Sequence, residues 1–154
     1  MKKYMKIGIV VLLVIAIGGI YYVKNFSSKN TTKNTIDNSS KITENVDEIM
    51  KVKNGEIKKI VVMQLSTSTC PACKEMYPIM ESINKKYGDK IITGVVYLDN
   101  RSIEKQAMQL ANDYSVRVVP TIVVLDEEGQ QVIRHEGILE EAQIVSILSQ
   151  MGVK

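Results

Sequence analysis

Three patterns of apolar and polar positions follow one another along the chain. Residues 7–23 (IGIVVLLVIAIGGIYYV) carry no charge, residues 24–41 (KNFSSKNTTKNTIDNSSK) are dominated by Ser, Thr, Asn and Lys, and from residue 42 onward short apolar runs alternate with stretches of helical period. In that last region the spacing of Val46, Ile49 and Met50 predicts a helix over 43–53 capped by Thr43. Residues 57–65 end in a near-continuous apolar run, as in a strand buried on both faces. Helical spacing returns from Pro71 to Tyr87, with Met76, Ile79, Met80 and Ile83 on one face and Gly88 as a stop. A second buried strand is expected at 91–98. A helix from Ser102, its N-cap, to Tyr114 follows, with Ile103, Ala107 and Leu110 inward. Residues 120–125 read as a third strand, 126–129 as a turn and 130–135 as the returning arm of a hairpin. A last helix over 139–151 turns Ile144, Ile147 and Leu148 inward. The order α-β-α-β-α-β-β-α predicts an α/β fold: a mixed sheet between helices, parallel at its core, with an antiparallel edge from the hairpin.

The first two segments read as an anchor and a tether. Residues 1–6 are basic, and at the helical rise residues 7–23 reach roughly 25 Å, the short end of what spans a bilayer. Tyr21 and Tyr22 fall at the far end, where aromatic rings favour the interface. A cleaved signal peptide is the competing reading, because Ala16-Ile17-Gly18 offers small residues of the kind a peptidase needs. The apolar run continues past them to Val23, so an uncleaved transmembrane signal anchor is expected, with residues 1–6 as a cytoplasmic tail. Lysines flank the span on both sides. The short basic start and the single large domain after the span favour that domain outside the cytoplasm, at a single-pass position in the cell membrane. Residues 24–41 have too few apolar side chains to offset ordering and form a flexible polar linker, of average reach about 20–25 Å. Residues 42–154 make up the one compact domain.

Composition narrows the functional classes. A net charge of +3, with many lysines near the N-terminus, gives no case for a nucleic-acid partner. The two cysteines stand three apart, as Cys70-Pro71-Ala72-Cys73, too few for a disulfide scaffold and too close to close a stabilising loop. They call for a chemical reason. Cys70 follows a strand and the polar turn Ser66-Thr67-Ser68-Thr69, and Pro71 suits the first position of the helix that follows. Cys70 would then sit at the positive end of a helix dipole, which favours its thiolate, with Cys73 one turn on. An exposed thiolate with a second thiol beside it is what disulfide exchange requires. Within one chain, a zinc site lacks ligands beyond these cysteines and His135; a site shared between chains stays open. A cysteine protease would need His135, which is expected exposed and inert on an edge strand.

Over roughly residues 43–152 the sequence resembles the thioredoxin family. The strand, turn and CxxC run on to Pro78, at the offset of the proline that kinks the family's active-site helix. Val119-Pro120-Thr121 matches the family's cis-proline segment, and Gly137 matches a glycine beside its substrate groove. The resemblance implies a thioredoxin fold and a thiol–disulfide oxidoreductase with Cys70 as nucleophile and Cys73 as resolving thiol. It places Val119, Pro120, Thr121 and Gly137 in substrate binding and makes Pro71 and Ala72 the dipeptide that tunes potential. It implies protein thiol or disulfide substrates, a redox partner that recycles the pair, and neither cofactor nor metal. The sequence departs from the pattern at Pro71-Ala72 in place of Gly-Pro and at Thr69 in place of an aromatic residue. It also has Gln64 where the family has a buried acid, and an amide cannot relay a proton. Thr69-Cys70-Pro71 further resembles accessory proteins of bacteriocin maturation. A binding or metal-delivery module is the alternative class.

Overall fold

The computed structural model describes Ile42 and residues 45–154. The tail expected at 1–6, the span at 7–23, the linker at 24–41 and the cap at Thr43 lie outside the described residues. Among the described residues no helix is long and apolar enough to cross a membrane.

Among the described residues four helices and four strands follow in chain order: α1 (Val46–Lys53), β1 (Val61–Ser66), α2 (Pro71–Tyr87), β2 (Ile92–Tyr97), α3 (Glu104–Asp113), β3 (Thr121–Leu125), β4 (Gln131–Glu136) and α4 (Glu141–Gln150). All six residues of β1 are buried. That explains its unbroken apolar run: successive side chains alternate faces, and both faces are covered. On one side, Val62, Val95, Ile122 and Val124 meet Met76, Met80 and Ile83 of α2 and Ile144 and Leu148 of α4. On the other, Val61, Met63, Leu65, Val96, Val123 and Leu125 meet Val46, Ile49 and Val52 of α1 and Ala107 and Leu110 of α3. Gly94 of β2 lets α1 lie close, since a Cβ there would stand 2.6 Å from Ile49 Cδ1.

The sheet order is β2-β1-β3-β4. Only β1 and β2 are parallel; β3 runs antiparallel to β1, and β4 antiparallel to β3. The parallel core expected from alternating strands and helices is therefore confined to one pair. The cause lies in the connection after β2. Helix α3 covers only part of it, and residues 114–120 carry the chain back to the end of the sheet it had left, where Thr121 pairs with Leu65. This return sets the segment before β3 beside the turn that leaves β1.

Two helix starts differ from the sequence expectation. Helix α1 begins at Val46, and Asn45 turns its amide to the Thr93 carbonyl (2.8 Å) instead of capping the helix. Ser102 lies within a short 3-10 turn, Arg101–Ile103, that precedes α3. The cap there is Asn100, whose side chain accepts from the Ser102 N–H at 3.0 Å.

Candidate active site

Cys70 is the N-cap of α2 and Pro71 its first residue. The Cys70 sulfur accepts the Cys73 backbone N–H at 3.1 Å, one of the donors that a helix start leaves without an intrahelical partner. The two cysteines are joined in a disulfide with their Cα atoms 5.2 Å apart. They differ in access: Cys70 is partly exposed, whereas Cys73 is 3% exposed. Pro71 is exposed and Ala72 half-buried beside them. One sulfur can thus meet a large partner while the other waits behind it.

The second wall comes from the segment before β3. The Val119–Pro120 peptide is cis, and the Val119 carbonyl lies 3.7 Å from Cys70 Sγ. Pro120 is buried, and its carbonyl accepts the Gly137 N–H at 2.8 Å, which joins Gly137 to the same edge. Gly137 has φ +93°, and open space surrounds the place of its missing side chain. Thr121 is different. Its hydroxyl is turned to the Val118 carbonyl (2.7 Å) and its side chain is buried, so it shapes the Val118–Pro120 segment from beneath. The structure brings Cys70, Cys73, Val119, Pro120 and Gly137 together and sets Thr121 below them. His135 is half-buried, not exposed as expected, because its Nε2 lies 3.2 Å from the Ile138 carbonyl. Among the described residues, no three His, Cys, Asp or Glu side chains stand together as metal ligands.

Two further residues hold the site, and both escape a sequence reading. Asp99, just after β2, accepts the Ser68 N–H through both carboxylate oxygens (3.1 and 3.0 Å) and also accepts the Ser68 hydroxyl. It thereby ties down the turn that delivers Cys70. The Ser68 hydroxyl, then its backbone N–H, holds the Asp99 carboxyl below its usual range. A depressed carboxylate contributes stability that is present above its unfolded pKa and is lost as pH falls through the native value. Asp99→Asn is therefore expected to be less stable than the parent at pH 7, the gap closing as the pH falls below the ordinary carboxylate range; paired thermal melts at neutral and acid pH check it. Arg134 of β4 donates to the Tyr114 carbonyl (2.8 Å) and the Ser115 carbonyl (3.0 Å), fixing the start of the 114–120 return. The Tyr114 hydroxyl is pushed up to about 12 by burial, with Asp113 adding to the shift. The only sequence signals were an acid closing an apolar strand and an arginine in the returning arm of the hairpin.

A cysteine pair at a helix N-terminus, faced by a proline-led strand, is a specific arrangement, and comparison with known proteins agrees with it. The family model for a thioredoxin-like domain matches residues 46–152. The chain belongs to the thioredoxin-like family. Among its relatives are a chloroplastic thioredoxin Y of rice (Oryza sativa subsp. japonica; 30% identical over 87 residues, 56% of this chain and 48% of that one) and a thioredoxin of Buchnera aphidicola subsp. Baizongia pistaciae (29% over 108 residues, 70% and 93%). The chain thus spans about half the length of the rice relative. A solved thioredoxin from Nicotiana alata shares the fold, with a TM-score of 0.55 at 19% identity over 72% of this chain and 89% of that one. This is a thioredoxin-like redox protein whose Cys70–Cys73 pair has the features of a thiol–disulfide oxidoreductase. Its thioredoxin-like site departs from the family pattern beneath the pair, where Gln64 is fully buried and its amide nitrogen donates to the Cys73 carbonyl at 3.1 Å.

Proposed function

We propose that this thioredoxin-like protein is tethered to the cell membrane and exchanges disulfides in proteins outside the cytoplasm. The observation that carries the exchange chemistry is the asymmetry of the pair: a partly exposed Cys70 sulfur that receives a helix N–H, and a buried Cys73 within bonding distance. In the reducing direction the Cys70 thiolate attacks one sulfur of a substrate disulfide, forming a mixed disulfide and expelling the other sulfur as a thiolate. Cys73 loses its proton to solvent and attacks the Cys70 sulfur, which releases the second substrate thiol and closes the Cys70–Cys73 bond. Two electrons pass from the pair to the substrate, and a second dithiol partner returns them. The same steps run backwards oxidise a substrate dithiol.

Substrate backbone would lie along Val118 and Val119, with Gly137 leaving room on the far side. Val118 is 48% exposed and would offer an apolar contact. The tether rests on the uncharged run at 7–23, the basic start before it and the polar stretch at 24–41. A membrane-impermeant maleimide applied to intact cells producing the full chain, after mild reduction, tests the placement. Labelling of Cys70 without lysis is the expected result. Labelling only after lysis would put the domain on the other side.

A further inference from the structure

The β3–β4 ladder ends with Thr121 opposite Glu136, and the bond from the Gly137 N–H to the Pro120 carbonyl (2.8 Å) carries the pairing on to the edge of the site. Two residues, Gly137 and Ile138, then lead to the buried Leu139. Gly137 stands at φ +93° and is of the residue type with most backbone freedom to lose, so its orientation has to be held from both sides. Pro120 holds the near side. On the far side, no backbone N–H among the described residues reaches the Ile138 carbonyl. Its partner is a side chain, the Nε2 of His135 at 3.2 Å. A carbonyl can only accept, so Nε2 carries the proton.

The strand explains why His135 points there. Side chains alternate along β4, and Ile133, two residues before, packs against the cluster shared with α2 and α4. Ile122, opposite His135, belongs to the same cluster. His135 thus continues that face at its site end, where it is half-buried. Arg134, turned the other way, holds the Tyr114 and Ser115 carbonyls. Neighbouring residues of one edge strand therefore hold the two segments that lead into the groove. We propose that His135 is a positioning residue for polypeptide substrates: its imidazole N–H sets the Gly137–Ile138 segment so that the open side of Gly137 stays turned to the substrate chain. It acts on binding and leaves the sulfurs alone, because Cys70 keeps the Cys73 N–H and the Val119 carbonyl beside it whatever stands at 135. A small disulfide reaches Cys70 without lying along Gly137 and does not depend on it. This rests on the exchange reading and deepens it.

Initial rates of insulin disulfide reduction, with dithiothreitol recycling the full chain, are measured against insulin concentration for the parent, His135→Ala and His135→Gln. His135→Ala should raise KM for insulin about fivefold, the size of one lost hydrogen bond, with kcat and the rate on oxidised glutathione unchanged. His135→Gln puts an uncharged amide N–H near the place of Nε2 and should return KM to within about twofold of the parent. An unchanged KM in His135→Ala, an equal loss on oxidised glutathione, or a His135→Gln as impaired as His135→Ala overturns the proposal. Hydrogen exchange, followed by mass spectrometry on the peptide that contains Gly137, reads the segment itself. Exchange there should be faster in His135→Ala and parental in His135→Gln, with β1 unchanged in both. Parental exchange in His135→Ala overturns the proposal. Should the parent reduce neither insulin nor oxidised glutathione, the exchange reading fails, and hydrogen exchange still decides whether His135 holds the segment.

Discussion

Cys70→Ser abolishes disulfide exchange, with turnover on a protein disulfide falling on the order of a thousandfold or more. Cys73→Ser gives a different loss: steady turnover stops, but Cys70 still attacks, and the mixed disulfide accumulates because nothing resolves it. The difference follows from access. Cys70 is partly exposed at the mouth of α2, whereas Cys73 is 3% exposed behind it. The Cys73 backbone N–H that bonds the Cys70 sulfur survives a change to the Cys73 side chain, so the thiolate of Cys70 keeps its helix donor in Cys73→Ser. Non-reducing gels and mass spectrometry of each variant, incubated with an oxidised protein, read the outcome. Equal trapping at both positions would mean that burial does not assign the roles.

Met80→Ala should have the largest effect on stability. Met80 is fully buried on α2, in the cluster that joins the sheet to α4. Truncating a large buried side chain costs about 2–5 kcal/mol, part of it from the cavity left behind. Small domains have about 5–15 kcal/mol in all, so much of the margin goes. Glu81→Ala, one residue on and exposed, is the control and should stay within about 0.5 kcal/mol of the parent. Urea unfolding of the disulfide form separates the two. Because α2 carries both cysteines, the same loss of packing should loosen the pair and speed alkylation of Cys73 after reduction. A cost for Met80→Ala below about 1 kcal/mol would contradict the packing described.

What the sequence made legible was local. Pro71 after Cys70, the three-residue spacing of the cysteines and the apolar face of Met76, Met80 and Ile83 depend on near neighbours, and α2 appears as read from them. The apolar pattern extends the last helix to Met151, whereas α4 stops at Gln150 with Met151 as its C-cap. What stayed hidden was set by distant partners. The direction of β3 depends on how residues 114–120 return, and no periodicity encodes a return path. Asp99 and Ser68 are 31 residues apart, and Arg134 and Tyr114 are 20 apart, so neither pairing can be read from near neighbours. Gln64 was visible as a departure from the family pattern, but its orphaned oxygen appears only once β1 is buried on both faces.

A glutathione titration of the parent full chain decides whether Cys70 and Cys73 form a reversible redox pair with divided roles. The expected result is one two-electron transition between dithiol and disulfide, at a potential between about −270 and about −120 mV, with any glutathione adduct confined to Cys70. Absence of a closed disulfide across that range, or adducts divided evenly between Cys70 and Cys73, would contradict it.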